Sequence, residues 1–191
     1  MIVRSMLSLV ILAALSPAAL AADNYKIDPV HSSVHFRIGH AGIAYVYGRF
    51  NDVSGTVAYD KQDPTKSTFN LEVKAESVDT NNEKRDAHLR SPDFFDAKQF
   101  PAITFKSTKV ESAGENKLNV TGDLTLHGVT KEITVPVTKT GEADLAEMKM
   151  GYRTGWEAIV DIKRSDFGMT TMIGPVADEV MIPVALEAVK E

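Results

Sequence analysis

Polar and apolar residues alternate most regularly between Lys117 and Val137. Every second residue from Leu118 to Leu126 is apolar or glycine, and the residues between them are polar. Successive side chains of a β-strand point to opposite faces, so this stretch predicts a strand with one apolar and one polar face. A turn at residues 127–130 precedes a second alternating run. The segment therefore predicts an antiparallel hairpin, because antiparallel sheets tolerate one face in water.

The same period of two recurs along most of the chain. Alternating runs occupy residues 25–27, 34–38, 50–59, 69–75, 103–105, 150–162 and 180–186. The run at 150–162 exceeds the usual strand length of about five or six residues, and long strands suit the tilted wall of a closed barrel. With the hairpin, these runs predict an antiparallel barrel of about eight strands, a size typical of barrels that hold a single ligand.

One segment breaks the strand pattern. Thr80 and Glu83 have the spacing of a capping box, and the polar residues 83–90 that follow are good helix formers. Pro92 is well placed to begin a second short helix, and Phe94 and Phe95 follow it. The sequence predicts a short helical insertion near residues 80–96.

The first 21 residues have the layout of a secretory signal peptide. Arg4 precedes a short apolar run at 7–15, and Ala19-Leu20-Ala21 forms an A-x-A cleavage site. A spanning helix needs about 20 apolar residues, so an uncleaved anchor is the weaker alternative. We expect cleavage after residue 21, a single domain over residues 22–191, and a periplasmic location.

Charge and cysteine content exclude several classes of protein. The chain has 191 residues, a net charge of −5 and no cysteine. Its mild acidity offers no electrostatic footprint for nucleic acid. Without cysteine there is no disulfide, thiolate zinc site or catalytic thiol.

These residues, in this order, resemble the YceI-like family of bacterial secreted proteins over essentially the whole mature chain. The matching motifs are D-P-x-H-S with V-x-F (28–36), His40, G-x-F (48–50), Gly55, R-D-x-H-L (85–89), D-F-F-D (93–96), F-P-x-I-x-F (100–105), G-D-L-T-L-H-G-V-T (122–130) and R-x-D-F-G (164–168). The resemblance implies a lipocalin-like barrel that holds a long apolar molecule. Polyisoprenoids, isoprenoid quinones and fatty amides are the ligands associated with the family, and homodimers occur in it.

The apolar faces of the strands supply the candidate barrel interior. We expect the ligand to contact Phe36, Ile38, Phe50, Val57, Phe69, Leu71, Val73, Ile103, Phe105, Leu124, Leu126, Tyr152, Trp156, Val160 and Ile182. The alternative is that these side chains fill the interior completely. Such a packed barrel would serve as a structural or stress-related interaction protein that uses its outer face.

Soft apolar side chains on the non-strand segments supply the candidate mouth, since loops on a rigid scaffold often carry function. They are Phe94, Phe95, Phe167, Met169 and Met172. Methionine adapts to irregular ligands. The alternative is that the same residues form a satellite core that plugs the barrel.

Catalytic and metal chemistry find little support in the sequence. His31 and His35 share a strand face, but no HExxH motif and no carboxylate at ligand spacing accompanies them. No G-x-S-x-G elbow is present either. We therefore predict no catalytic residue, metal or cofactor, and a histidine-metal hydrolase is the weakest alternative. The favoured reading is a carrier of a long-chain isoprenoid or lipid that makes transient contact with membranes.

Overall fold

The computed structural model describes residues 22–191, and the predicted signal peptide lies outside the described residues. The strands are β1 (Asp23–Ile27), β2 (Ser33–His40), β3 (Ala44–Phe50), β4 (Val53–Tyr59), β5 (Thr68–Lys74), β6 (Val78–Asp79), β7 (Ala102–Gly114), β8 (Lys117–Leu126), β9 (Val129–Asp144), β10 (Tyr152–Lys163) and β11 (Val176–Lys190). A single α-helix in these residues, α1, spans Glu83–Arg90, and short 3₁₀ turns lie at Pro64–Lys66, Ala75–Ser77, Ala146–Met148 and Arg164–Phe167.

The strands close into an antiparallel barrel with eight strand positions around its circumference, each of which we call a wall. The order is β1, β4, β5, β7, β8, β9, β10 and β11, and β11 returns to β1 through the pairing of Ala188 with Ile27. Closure through these eight strands leaves no unpaired sheet edge in the half of the barrel that holds β1, β4 and β5, whereas β6 pairs with β3 alone. The prediction of an all-β, lipocalin-like antiparallel barrel with a short helix near residues 80–96 is confirmed.

Three of the eight walls are broken near mid-height. β1 and β2 lie end to end along β11, β3 and β4 lie end to end beside them, and β5 and β6 form the third broken wall. The breaks fall at residues 28–32, 51–52 and 75–77. Pro29 contributes to the first break because proline has no N–H to donate to a strand ladder. The sequence predicted an unbroken strand at 50–59. This prediction is wrong, because residues 51 and 52 interrupt the strand.

The β8–β9 hairpin has the predicted register and turn, with Leu126 opposite Val129. Its polar face carries hydroxyl pairs, Thr121 with Thr134 and Thr125 with Thr130, each at 2.8 Å. Gly122 points inward, where an added Cβ would lie 2.7 Å from Cζ of Phe105. The missing side chain at Gly122 thus makes room for an aromatic ring from the neighbouring strand.

The helix α1 begins differently from the prediction. Asn82 is the N-cap, and its side chain accepts a hydrogen bond from the N–H of Arg85. Thr80 is engaged elsewhere, because its N–H and hydroxyl both donate to Asp86. The capping box expected between Thr80 and Glu83 is therefore wrong. Asp86 is the one buried residue of α1, and Leu89 is half-buried against the barrel core, so the helix is held by the polar contacts of Asp86 together with this single apolar contact.

Candidate functional site

The barrel encloses an apolar cavity of about 370 Å³. Its wall includes every predicted interior residue except Tyr152, namely Phe36, Ile38, Phe50, Val57, Phe69, Leu71, Val73, Ile103, Phe105, Leu124, Leu126, Trp156, Val160 and Ile182. The alternative of a completely filled interior is wrong, since a cavity of this size lies within the range of about 300–1,000 Å³ found for ligand pockets. Whether these side chains contact a ligand stays a prediction.

Several lining residues were missed by the sequence analysis. They include Ile27, Val34, Val46, Ala158, Val184 and Leu186. For five of them the signal was present, because each has the same strand parity as a residue that was named: Val34 precedes Phe36 by two, and Ala158 follows Trp156 by two. Ile27 lies on β1, where no interior residue was named. Period-two alternation therefore finds the inner face even where the side chain is small.

One end of the cavity is sealed by an aromatic layer that we call the floor, formed by Trp156, Tyr59 and Phe69. The Trp156 ring lies edge-on to Tyr59 and Phe69, with centroids 5.0 and 5.1 Å away, and Trp156 is only 2% exposed. Below it, Tyr25 is fully buried, and burial followed by the nearby charge of Asp23 raises its pKa to about 12.

Tyr152 lies beyond the floor and outside the cavity lining. It is the first residue of β10, four residues before Trp156. Its ring packs 6.5 Å from that of Tyr25, and its hydroxyl accepts a hydrogen bond from Lys61 at 2.9 Å. The alternation placed Tyr152 on the inner face, but Trp156 already closes the lumen above it.

An ion-pair cluster covers the outer side of the floor. Lys61 and Lys139 each donate to a different carboxylate oxygen of Glu142, at 3.0 and 2.7 Å. Desolvation opposes ionisation of Glu142, but hydrogen bonds from Lys139, Lys61 and Tyr152 outweigh it and lower the pKa of Glu142 to about 2. The cluster therefore stays charged at neutral pH and separates the floor from solvent.

At the opposite end the cavity reaches the surface. We call this end the mouth; it is bounded by His40, Met172 and the α1 side chains Arg85 and His88, all of which line the cavity and are exposed. Of the predicted mouth residues, Phe94, Phe95, Met169 and Met172 also line the cavity. Phe95 packs edge-on against Phe50 at 5.4 Å, so part of the predicted mouth is a cover over the lumen.

Phe167 does not lie at the mouth. It is 2% exposed and packs in a cluster with Leu124, Leu126 and Met169. The β9–β10 ladder ends at the pair Val137 and Ala158, and beyond that point Phe167 packs against Ile133 of β9 and Ile162 of β10. Phe167 therefore fills the gap between two diverging strands, where the alternative of satellite core packing describes it correctly.

Arg164 organises the connection that forms one side of the mouth. Its guanidinium donates to the carbonyls of Met169, Thr171, Val176 and Ala177 at 2.8–3.1 Å. The residue is only 3% exposed, and burial lowers the pKa of the guanidinium. The R-x-D-F-G motif contained this arginine, but nothing in the sequence indicated that its partners are backbone carbonyls.

The histidines of the first wall lie outside the cavity, except His40 at the mouth. The fold brings Glu187 close to His31 and Asp28, so that one ligand atom from each lies within 4.8 Å of the others. The sequence spacing indicated no carboxylate partner for His31, but the fold places two carboxylates beside it. Arg153 nevertheless donates to both carboxylates at 2.5 Å, and this guanidinium supplies the positive charge between them.

The profile of the YceI-like domain matches residues 25–188. The chain belongs to the YceI-like family. A protein named YceI from Salmonella arizonae is 42% identical over 176 residues, which cover 91% of this chain and 90% of the relative. The recognition from sequence is therefore confirmed.

Two solved structures share the YceI-like fold of this chain. BcnA from Burkholderia cenocepacia superposes with a TM-score of 0.77 at 29% identity, covering 84% of this chain and 98% of BcnA. A polyisoprenoid binding domain from Saccharophagus degradans, implicated in plant cell wall breakdown, has a TM-score of 0.69 at 16% identity and covers 90% and 100% of the two chains. Among residues 22–191, none of the helices has both the length and the apolar character for a membrane span.

Proposed function

We propose that this protein is a carrier or store for a long-chain amphiphile, an isoprenoid or similar lipid, held non-covalently in the barrel. The observation that carries the proposal is the apolar cavity, closed by the floor and open at the mouth. A binding role rather than catalysis also fits the family.

The distribution of polarity along the cavity favours one orientation of such a ligand. The floor presents aromatic and aliphatic side chains, whereas His40, Arg85 and His88 stand at the mouth. Burying a polar headgroup without partners costs several kcal/mol, of the order of 2–7. We therefore place the apolar tail toward Trp156 and the polar head at the mouth.

Energetics favour exchange over permanent retention. Burial of each CH₂ group from water is worth about 0.8 kcal/mol, so a prenyl or acyl chain is never free in water. Its reference state is a membrane, and transfer from one apolar surrounding to another is nearly neutral. A barrel of this kind exchanges its ligand with membranes, which is the behaviour of a carrier.

The class of ligand is proposed from what a protein of the same fold binds. The Saccharophagus degradans domain of the same fold is a polyisoprenoid binding domain, and the cavity of this chain is apolar enough for that class of molecule.

Residues 1–21 are proposed to direct export to the periplasm. Fractionation of cells that express the full chain, with a version lacking residues 2–21 as control, tests that location.

The decisive experiment is mass spectrometry of an organic extract of protein purified without detergent. We expect about one lipid per barrel in the native protein. Ala158→Phe places a ring inside the cavity, whereas Ile159→Phe adds the same ring to the outer face of the same strand, where Ile159 is 53% exposed. Loss of lipid only in the Ala158→Phe variant, with both variants folded, supports the proposal. A native protein that neither retains nor binds any prenyl or acyl chain contradicts it.

A further inference from the structure

Large apolar side chains are exposed mainly at one place. Within residues 22–191, five of the eight exposed large hydrophobic side chains lie near the mouth: Ile43, Tyr45, Tyr47, Met172 and Ile173, at 86%, 59%, 64%, 48% and 45% exposure. We call these five residues the rim patch. The remaining three are scattered, at Val30, Met148 and Ile159. Single exposed hydrophobic residues are ordinary, whereas a contiguous group indicates an interaction surface.

The two segments that carry the rim patch are joined by the fold. The N–H of Ala41, at the tip of the β2–β3 hairpin, donates to the carbonyl of Pro175 at 2.6 Å. His40 pairs with Val176 in the adjoining ladder. Met172 belongs both to the rim patch and to the cavity lining. The exposed apolar surface is therefore continuous with the interior of the barrel.

The order of residue types along β3 is informative. Ile43 stands at the hairpin tip, and Tyr45, Tyr47 and Arg49 follow at intervals of two, so the three strand residues share the outer face. At about 3.3 Å per residue, an aliphatic tip is followed by two tyrosines and then a cation within about 20 Å. This is the order in which residue types settle at a bilayer, with tyrosine at the headgroup level and arginine beyond it.

Charge favours the same partner. The protein has a net charge of −5, yet residues 29–51 contain two arginines and no Asp or Glu, and residues 167–177 contain no charged side chain. The guanidinium of Arg37 lies 4.4 Å from the ring centroid of Tyr45, beside the rim patch. Arg49 is paired with Asp79 at 3.7 Å, whereas Arg37 has no carboxylate partner at ion-pair distance among residues 22–191. A surface that is apolar at its tip and carries this cation behind it complements a membrane containing anionic lipids.

We propose that the rim patch docks the mouth of the barrel onto a lipid bilayer that contains anionic phospholipids, so that ligand passes between membrane and cavity without crossing water. The inference rests on the proposed function for its purpose, since a lipid carrier needs such contact. A second copy of this chain is a less suitable occupant, because two rim patches facing each other would bring the arginines of both copies together.

Vesicle flotation tests the proposal with matched variants. The vesicles contain phosphatidylethanolamine and phosphatidylglycerol, and a second set contains phosphatidylcholine alone. The rim variant is Ile43→Glu with Ile173→Glu. The control variant, Met148→Glu with Ile159→Glu, introduces the same two charges at side chains that are 62% and 53% exposed elsewhere on the barrel. All four sites are exposed, so both variants are expected to fold, which circular dichroism and thermal melting verify.

We expect the native protein and the control variant to float with the anionic vesicles, and the rim variant to bind at least about tenfold more weakly. Native binding should weaken on the phosphatidylcholine vesicles and at high salt. Equal binding by the rim variant, an equal loss in the control variant, or absence of native binding would each overturn the proposal. A native dimer that the rim variant dissolves, without vesicle binding, assigns the patch to a second copy instead.

The lipid content of the same preparations keeps the two proposals apart. If docking is the role of the rim patch, the rim variant retains or binds a prenyl chain supplied in detergent micelles as the native protein does, but transfers it between vesicles more slowly. Vesicle binding by a protein that holds no lipid would contradict the carrier function and leave the docking surface standing.

Discussion

The two ends of the barrel share the long strands β7 to β11 and differ in what closes them. At the floor, Trp156 packs between Tyr59 and Phe69 over an ion-pair cluster centred on Glu142. At the mouth, the cover is a helix with one buried residue and a connection held by Arg164. Interdigitated side chains exclude ligand permanently, whereas a polar helix and a tethered loop leave an opening. The interior of the barrel is therefore sealed at the floor and reaches the surface at the mouth.

The largest effect is expected at the floor. Trp156→Ala removes the ring that seals the cavity and should lower the free energy of unfolding by about 3–5 kcal/mol. Denaturant unfolding measures the loss, and Trp156→Phe, which retains an aromatic ring, should lose less. A small effect of the alanine variant would mean that the floor is no better packed than the mouth.

The second largest loss of stability is expected from removing Arg164, whose hydrogen bonds tether the connection at the mouth. Arg164→Met leaves four backbone carbonyls without their donor, at a cost of about 3 kcal/mol, since each unpaired buried group costs about 1–3 and some regain water. Hydrogen exchange should rise mainly in residues 169–177. Arg85→Met, on the exposed face of α1, is the control and should leave that exchange unchanged. Uniform acceleration across the barrel would contradict a local tether.

A moderate loss of stability is expected from a substitution at Gly122 of β8, between the two ends of the barrel. Gly122→Ala places its Cβ 2.5 Å from the carbonyl oxygen of Lys106 and 2.7 Å from Cζ of Phe105, and overpacking of this kind costs about 1–3 kcal/mol. Gly141→Ala, where nothing lies within 4 Å of the added carbon, is the matched control and should be nearly neutral. Thermal melting compares them, and equal melting temperatures would show that the β7 backbone and the Phe105 ring both move aside freely.

The smallest effect concerns the charged cover of the floor. Because the pKa of Glu142 is lowered from 4.5 to about 2 in the folded protein, its contribution to stability is fully present above pH 4.5 and is lost as the pH falls toward 2. Partial exposure limits that contribution to about 1 kcal/mol or less. Glu142→Gln should flatten the pH dependence of stability between pH 5 and about 2. Glu111→Gln, in an exposed pair with Lys109, should not.

Much of the barrel follows from local rules. The alternation at Leu118–Leu126 fixed the strand and its inner face, and the same rule identified Phe36, Phe69 and Ile182 as wall residues. It failed at Tyr152, because parity gives the face of a strand but not its height relative to Trp156. The assignment of Phe167 to the mouth rested on its place in a non-strand segment, and it missed the gap that opens where the β9–β10 ladder ends, because that end depends on the course of both strands.

The sequence by itself determined the eight-walled barrel, its apolar inner face and the family to which the chain belongs, since all three are written in a period of two and in ordered short motifs. Only the tertiary structure decided that the interior is hollow, that Trp156 closes one end, and that the segments carrying Ile43 and Ile173 are joined at the other. The physical reason is distance along the chain. Alternation is a property of neighbouring residues, whereas a cavity, a floor and a rim depend on how residues far apart along the chain are brought together.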